Sequence, residues 1–318
     1  MRILTQTAQI PITDLHQWQP VADGAPHWLD IADPQRDVLT TLGLHPLVIE
    51  DIMHGGQRTK VEYYDGYLFF VFYAFAIESD TTLRMQTTPL YVCVSANAVI
   101  TIHHGAMDLI DVSWRRWHGA RHTQRVNQGV LLHGVLDTVV DSYFPLIDQI
   151  GDAVEDLEAR VLSGASPAQL RSVLQLKRTL LEFRRHVAPT REALNAVLRG
   201  DLLAFDNTTS MQIQDVYDHV LRVIDGIDLH RDLLAAVLDV HLSMQSNRLN
   251  QVMKVLTIVS IILMANSLIA GIYGMNFAVM PELGWRWGYP VAIGGMVVLS
   301  GLLFWFFQRR GWLRADEM

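Results

Sequence analysis

The stretch VLTIVSIILMANSLIAGIYGMNF, residues 255–277, decides the architecture of this chain. As far as Ile272 its only polar side chains are hydroxyls and one amide, and none is charged. A second apolar stretch, YPVAIGGMVVLSGLLFWFF at residues 289–307, has no charged or amide side chain. Each stretch is close to the roughly 20 residues that cross a hydrocarbon layer of about 30 Å. Two such stretches joined by a short loop predict a membrane hairpin.

Charged and aromatic residues at the ends of the two stretches favour this interpretation over a pair of buried helices in a soluble protein. Lys254 precedes the first stretch, and Arg309, Arg310 and Arg314 follow the second. Because Lys and Arg accumulate on the cytoplasmic side, both termini are predicted to be cytoplasmic. Interfacial aromatic residues also cluster at the ends: Trp285, Trp287, Tyr289, Trp305 and Trp312. The opening MRILTQTAQIPITDLHQW lacks the apolar core of a secretory leader, so we expect a multi-pass protein of the inner (plasma) membrane.

The residues before the hairpin predict a cytoplasmic portion that mixes strands and helices. Runs of β-branched and aromatic residues predict strands at Trp28–Ile31, Tyr67–Ile77, Leu90–Val94 and Ala98–His103. Helical patterns lie at Gln35–Leu42, Pro46–Met53 and Ala106–Arg116. We therefore expect an α+β membrane protein with an N-terminal α/β domain. The single cysteine, Cys93, fits a reducing compartment.

The expected divisions follow from these patterns. They are an α/β domain at 1–122, a helical hairpin at 123–200, a stalk helix at 201–254, a first span at 255–275, an outer loop at 276–288, a second span at 289–308 and a basic tail at 309–318.

Charge is unevenly distributed between two predicted helices of the hairpin. Asp137 to Glu158 contains seven acids and no Lys or Arg, whereas the helix after Pro167 is basic. One interpretation is an antiparallel pair joined by salt bridges, and another is an acidic surface that concentrates divalent cations. The net charge of −8 argues against a nucleic-acid partner.

A long helix is predicted to lead into the first span, because no proline occurs between Pro189 and Pro281. It begins near Met211 and continues to Tyr273. Alternating steps of four and three place one set of small, polar and methionine residues on a single face: Asp239, Ser243, Ser246, Asn250, Met253, Thr257, Ser260, Met264, Ser267 and Gly271. A face this polar is not expected to meet lipid. Packing between helices through small residues is one explanation, and a pore lining shared by several copies around an axis is the other.

An asparagine, Asn276, follows the end of this helix at the outer side of the membrane. A ring of neutral amide oxygens accepts hydrogen bonds from the waters that Mg²⁺ gives up reluctantly. A carboxylate ring would bind the ion tightly instead. The apolar side chains of Met253, Leu256 and Met264 would form rings able to close such a pore by dewetting.

The motif YGMNF at 273–277, followed by MPELGWRWGYP at 280–290, resembles the CorA family of magnesium channels. The resemblance extends to GLHPLVIEDI at 43–52, to DVYDH at 215–219 and to VMKVLT at 252–257. It implies a funnel-shaped homopentamer, not an enzyme, that takes up Mg²⁺ and also Co²⁺ or Ni²⁺ and is regulated by cytoplasmic Mg²⁺. The remaining partners implied are the lipid bilayer and the divalent cations themselves.

Residue roles carried over from the resemblance fall into four groups. Gly274, Met275 and Asn276 are the implied selectivity element. The implied pore lining is Asn250, Met253, Leu256, Ser260, Met264 and Ser267, with the gate at Met253, Leu256 and Met264. Implied regulatory metal ligands are Asp239, Glu78, Asp80 and Asp215. Glu282 is the implied acid of the outer loop.

One departure from the family pattern concerns Ala265 and Asn266, which stand where many members have a proline-containing pair. Because Asn266 lies off the polar face, we expect it to bond between helices. The alternative within transport is a zinc transporter of the ZntB branch, possibly proton-coupled. His103 and His104 are adjacent on a predicted strand and point to opposite faces, so they are not expected to share a metal. His219, His230 and His241 are expected to be solvated or packed helix positions.

Overall fold

The computed structural model describes residues 1–5, 8–15, 27–79, 84–96, 98–119, 127–164, 166–200, 205–277 and 280–312. Within these ranges the side chains of Glu78, Ser79, Arg84, Glu282 and Leu283 are not described. The strands are β1 Arg2–Leu4, β2 Gln9–Pro11, β3 His27–Ala32, β4 Lys60–Tyr64, β5 Tyr67–Ser79, β6 Arg84–Ser95 and β7 Ala98–His103. The helices are α1 Arg36–Thr41, α2 Pro46–His54, α3 Asp108–Gly119, α4 Gln128–Asp141, α5 Phe144–Leu162, α6 Pro167–Leu198, α7 Asn207–Tyr273 and α8 Gly288–Arg309.

The chain divides into two compact units, Met1–Val237 and Leu238–Met318. The first unit contains one seven-stranded sheet in the order β2-β1-β3-β7-β6-β5-β4. All neighbouring strands are antiparallel except β3 and β7, which run parallel. This confirms the predicted α/β domain and its four predicted strands. The short strands β1 and β2 and the edge strand β4 were not predicted.

The centre of the sheet is buried on both faces. Every residue of β7 is buried, and so is the run from Leu68 to Tyr73 in β5. Both strands are nearly continuous runs of β-branched and aromatic residues, which is the pattern of strands covered on two sides. Helices α4 and α6 both contact this sheet.

The helices α5 and α6 pack against each other through apolar side chains, and the predicted salt bridges between them are wrong. Val154 and Leu157 of α5 and Val173 and Leu180 of α6 are buried. The nearby ion pairs are Arg160 with Asp156 inside α5 and Arg184 with Asp228 of α7. In the described part of the chain no ion pair joins α5 to α6. The acids and bases of the two helices are mostly exposed because the apolar stripes form the contact.

The predicted long helix is confirmed, and it begins slightly earlier than expected. Asp206 accepts a 2.8 Å hydrogen bond from the backbone N–H of Thr209, which caps the first turn. The helix α7 then runs for 67 residues, about 100 Å at 1.5 Å per residue.

Three helical stretches of the described residues are long and apolar enough to cross a membrane: Gln128–Leu162, Asn207–Tyr273 and Gly288–Arg309. In the first stretch, 56% of the most apolar 18-residue segment is buried inside the protein, so its apolar side chains belong to the protein core. In each of the other two stretches, only 6% of the most apolar 18-residue segment is buried. Helices that expose this much apolar surface are typical of membrane spans.

Candidate functional site

The polar face of α7 is exposed along its whole predicted length. Each of its ten positions from Asp239 to Gly271 is classed as exposed in the isolated chain. Within the apolar stretch of α7 the face offers the hydroxyls of Thr257, Ser260 and Ser267. The Thr257 hydroxyl also donates to the Met253 carbonyl at 2.8 Å, which leaves its oxygen available to accept another bond.

The opposite face of α7 packs against α8. Ile258 is only 3% exposed, whereas its neighbours Val259 and Thr257 are exposed. Asn266 donates a 2.9 Å hydrogen bond from Nδ2 to the Ser300 hydroxyl, which confirms the predicted bond between helices. At 3.6 residues per turn, the centre of the polar face lies roughly 150° around α7 from the face that meets α8. Helix α8 therefore leaves the polar face of α7 free.

The apolar residues assigned to the gate are also uncovered. Met264 is 71% exposed, Leu256 57% and Met253 53%. If several copies met around an axis, these side chains would face one another as separate apolar rings.

The segment assigned to selectivity lies where α7 ends. The Gly274 N–H still donates to the Ala270 carbonyl at 2.9 Å, and the Met275 N–H donates to the Ile272 carbonyl at 3.2 Å. Asn276 follows without regular secondary structure, and its side chain is exposed. A Cβ at Gly274 would meet the Ala270 oxygen at 3.2 Å, a close approach to backbone. Glycine thus allows the chain to leave the helix tightly and present the amide immediately beyond it.

The described residues of the loop between α7 and α8 form local backbone hydrogen bonds. Pro281–Gly284 forms one turn of 3-10 helix, and α8 starts after the Gly288 N–H bonds to the Trp285 carbonyl at 2.9 Å. Trp287 and Tyr289 are 63% and 79% exposed, as expected of aromatics at a membrane interface. The side chain of the predicted loop acid, Glu282, lies outside the described residues.

A second group of candidate ligands lies in the first unit, between α4 and α7. Asp137, Asp141 and His219 each offer an atom, and these atoms all lie within 4.8 Å of one another. Asp215, one turn before His219, has a carboxylate oxygen 3.8 Å from Nε2 of that histidine. Carboxylates with one imidazole can hold a divalent cation.

The electrostatics of this cluster place two acids close together in a partly buried position. Burial first, and the neighbouring Asp141 carboxylate second, raise the pKa of Asp137. One guanidinium nitrogen of Arg116 donates to both carboxylates at 3.0 Å and offsets part of the repulsion. A bound divalent cation would offset it further.

Sequence reasoning predicted only one member of this cluster, Asp215, as a metal ligand. It placed Asp137 and Asp141 in an acidic helix and described His219 as solvated or packed. The sequence signal that could have identified this cluster is the four-residue spacing within each helix. Asp137 and Asp141 are four residues apart in α4, and Asp215 and His219 are four apart in α7, so each pair occupies one helical face.

The other predicted regulatory ligands are not brought together by the described residues. Asp239 is exposed on α7. The Glu78 side chain and all of Asp80 lie outside the residues that the structure describes.

Three further histidines contact other groups of the first unit. Nδ1 of His103 lies 2.8 Å from the Gly105 carbonyl and Nε2 of His104 lies 3.2 Å from the Ile52 carbonyl, which confirms that the two rings do not share a site. His230 packs against Gly151, where an added Cβ would lie 2.9 Å from the ring. Of the two roles expected for His230, solvated or packed, the structure shows the packed one.

Comparison with known proteins agrees with this arrangement. The family model described as "CorA-like Mg2+ transporter protein" matches residues 23–309. The cobalt/magnesium transport protein CorA of Thermotoga maritima is 35% identical over 95% of this chain and 88% of its own length. The putative metal ion transporter YfjQ of Bacillus subtilis is 33% identical over 95% of this chain and 93% of its own.

Solved structures show the same fold at lower identity. The CorA magnesium transporter of Methanocaldococcus jannaschii superposes with a TM-score of 0.81 at 24% identity, covering 96% of this chain and 95% of that one. The ZntB cytoplasmic domain from Vibrio parahaemolyticus gives a TM-score of 0.61 at 10% identity, covering 77% of this chain and 98% of that one. The chain belongs to the family of CorA-like Mg²⁺ transporter proteins, which transport ions and are not enzymes.

Proposed function

We propose that this protein is a homopentameric channel for the passive uptake of hydrated Mg²⁺, and that Co²⁺ and Ni²⁺ also pass. The observation that carries the proposal is the uncovered polar face of α7, which turns away from α8 and leads to the exposed amide of Asn276. One hairpin cannot enclose a passage, so identical α7 helices must surround it by cyclic symmetry. The cobalt/magnesium transport named for the Thermotoga relative supports this choice of ions.

The chemistry of the face suits an ion that keeps its water. Mg²⁺ holds its inner waters firmly, and amide and hydroxyl oxygens can accept hydrogen bonds from them without stripping the ion. Between Asn250 and Asn276 the face carries no acid, so binding is weak and release is rapid. Inward movement releases roughly 4.6 kcal/mol per divalent ion at 100 mV, which is enough to drive uptake without ATP.

Both termini then lie in the cytoplasm, with Lys254, Arg309 and Arg310 at the inner boundary of the two spans. Closure is assigned to the rings of Met253, Leu256 and Met264, which exclude water while the helices are close together.

Regulation is proposed to come from cytoplasmic Mg²⁺ that binds carboxylates and holds the closed state. The geometry favours Asp137, Asp141, His219 and Asp215 as one part of this sensor. The acids Asp239, Glu78 and Asp80 remain proposed ligands between subunits. Binding cancels the repulsion between carboxylates, so loss of the ion loosens the assembly and opens the pore.

The test is ion uptake into proteoliposomes that contain a Mg²⁺-sensitive dye and hold an inside-negative potential. External Mg²⁺ should raise the internal dye signal, and abolishing the potential should slow it. Uptake of Zn²⁺ driven by a proton gradient, with no Mg²⁺ uptake driven by potential, would instead support the ZntB alternative. Native mass spectrometry of the purified complex should give five copies.

A further inference from the structure

The two proposed membrane spans are joined by a short chain of polar groups inside the hairpin. The Asn266 amide donates to the Ser300 hydroxyl at 2.9 Å, and that hydroxyl donates to the Met296 carbonyl at 2.7 Å. The carbonyl oxygen of the Asn266 side chain is also buried, with no partner among the described residues. In hydrocarbon a polar group that loses its partner cannot turn to water, so this bond is held in place by its surroundings.

The position of Asn266 on the circumference of α7 gives the bond a mechanical consequence. Asn266 lies on the α8 side of the helix with Ile258, and the serines of the polar face lie on the other side. Apolar contacts with α8 do not fix the rotation of α7 well, because lipid tails are as apolar as the side chains that pack between membrane helices. A hydrogen bond is directional, and it fixes the direction in which each side of α7 points.

We propose that the Asn266–Ser300 hydrogen bond is a positioning pair that sets the rotation of α7 about its own axis, so that Ser260, Met264 and Ser267 point away from α8. This inference rests on the proposed pore and deepens it, because it names the contact that aims the lining. Neither Asn266 nor Ser300 needs to touch the ion.

The experiment measures which side of α7 meets water in the full-length protein. In a Cys93→Ala parent, which removes the only cysteine, single cysteines are placed by Ser267→Cys on the polar face and by Leu268→Cys about 100° away. A water-soluble thiol reagent is applied to each variant in proteoliposomes, and the ratio of the two labelling rates is determined. The ratio is then measured again with Asn266→Leu, with Ser300→Ala and with Ser300→Thr.

We expect Ser267→Cys to react faster than Leu268→Cys in the parent. Asn266→Leu and Ser300→Ala should each reduce the ratio by about threefold or more, the size expected when one hydrogen bond between membrane helices is lost. Ser300→Thr retains the hydroxyl and should retain the ratio. Ser300→Ala removes a single oxygen, so the result does not depend on the more disruptive asparagine change.

Two failures can be told apart. If the parent itself labels no faster at Ser267→Cys than at Leu268→Cys, the proposed pore face is wrong. If the parent behaves as expected but neither Asn266→Leu nor Ser300→Ala moves the ratio, the positioning role is overturned while the pore stands. A Ser300→Thr variant that behaves like Ser300→Ala would also overturn it.

Discussion

A carboxylate oxygen of Asp141 lies 3.5 Å from Nδ1 of His219, and these two residues come from different helices of the first unit. The Asp137 carboxylate completes the cluster, and its raised pKa reflects burial and the charge of Asp141. The two carboxylates repel each other at this distance, and a bound cation would reduce the repulsion. Substitution of either acid therefore tests the proposed Mg²⁺ sensor.

We predict that Asp141→Asn weakens the stabilisation of the protein by Mg²⁺. A neutral amide removes one charge and one strong ligand, so the Mg²⁺ concentration that gives half of the maximal rise in melting temperature should increase about tenfold. The measurement is thermal unfolding of the purified complex in detergent across a Mg²⁺ series. Asp148→Asn is the matched control, because Asp148 is an exposed acid of α5 outside the cluster. Equal Mg²⁺ curves for Asp141→Asn and the control would remove this cluster from the sensor.

A second prediction concerns the apolar rings. Met264→Ser replaces a 71% exposed methionine with a small polar residue, so a closed pore should hold water more readily. Uptake should therefore continue when the vesicles already contain millimolar Mg²⁺, at a rate several times that of the unchanged protein. Val297→Ser, at a 66% exposed position of α8, changes a residue assigned to lipid and should leave closure intact. If vesicles with Met264→Ser stop taking up Mg²⁺ at the same internal concentration as the unchanged protein, the gate does not lie at Met264.

A third prediction addresses pH dependence through the buried acid of the sheet. Burial alone would raise the pKa of Asp30, but the His103 ring, whose Nε2 lies 3.3 Å from the carboxylate, and hydrogen bonds from Thr101 and Arg2 leave that pKa below its usual value. A lowered pKa in the folded state contributes stability above the unfolded value of about 3.9, and this contribution is lost as the pH falls through the folded value.

Asp30→Asn should accordingly destabilise the full-length protein by about 1–3 kcal/mol at neutral pH, since it removes the buried charge partner of Arg2, which keeps only the more exposed Asp111. The loss should shrink as the pH falls below about 4, where this carboxyl begins to protonate in the unfolded chain, and it should vanish as the pH falls through the lower pKa of the folded state. Thermal unfolding at a series of pH values checks both points. A pH-independent difference between Asp30→Asn and the unchanged protein would contradict the electrostatic explanation.

A fourth prediction tests the close packing of α5 on α7. Gly151→Ala would place a methyl group 2.9 Å from Cε1 of His230, so the helices must separate or the ring must move. We expect a loss of about 1–3 kcal/mol in stability, the usual size for an overpacked core. Gly294→Ala is the control, because nothing lies within 4 Å of its added methyl. Equal melting temperatures for the two variants would show that His230 moves freely.

The hairpin and the long helix could be predicted from the sequence because their signals are local. A run of uncharged residues from Val255 to Ile272 and the absence of proline after Pro189 need no knowledge of distant contacts. The four core strands were predictable for the same reason. The short strand Arg2–Leu4 was not, because it exists through pairing with β2 and β3 and not through its own composition.

The cation cluster and the α5–α6 contact show what the sequence did not reveal. Asp137 and His219 are far apart in the chain, and only the packing of α4 on α7 brings them together. The expected salt bridges between α5 and α6 were wrong because the charge pattern alone does not show which faces of the two helices meet. Val154 and Leu180 occupy buried faces, so most of the charged residues are left to solvent.

The central claim is tested most directly by Mg²⁺ uptake through Asn276→Ala. Proteoliposomes containing this variant, the unchanged protein or Asn247→Ala are compared at equal protein content and equal inside-negative potential. Asn247 is an exposed asparagine of α7 before the apolar stretch. The account predicts that uptake by Asn276→Ala falls to the rate of empty vesicles while Asn247→Ala matches the unchanged protein. Uptake by Asn276→Ala at the unchanged rate would contradict it.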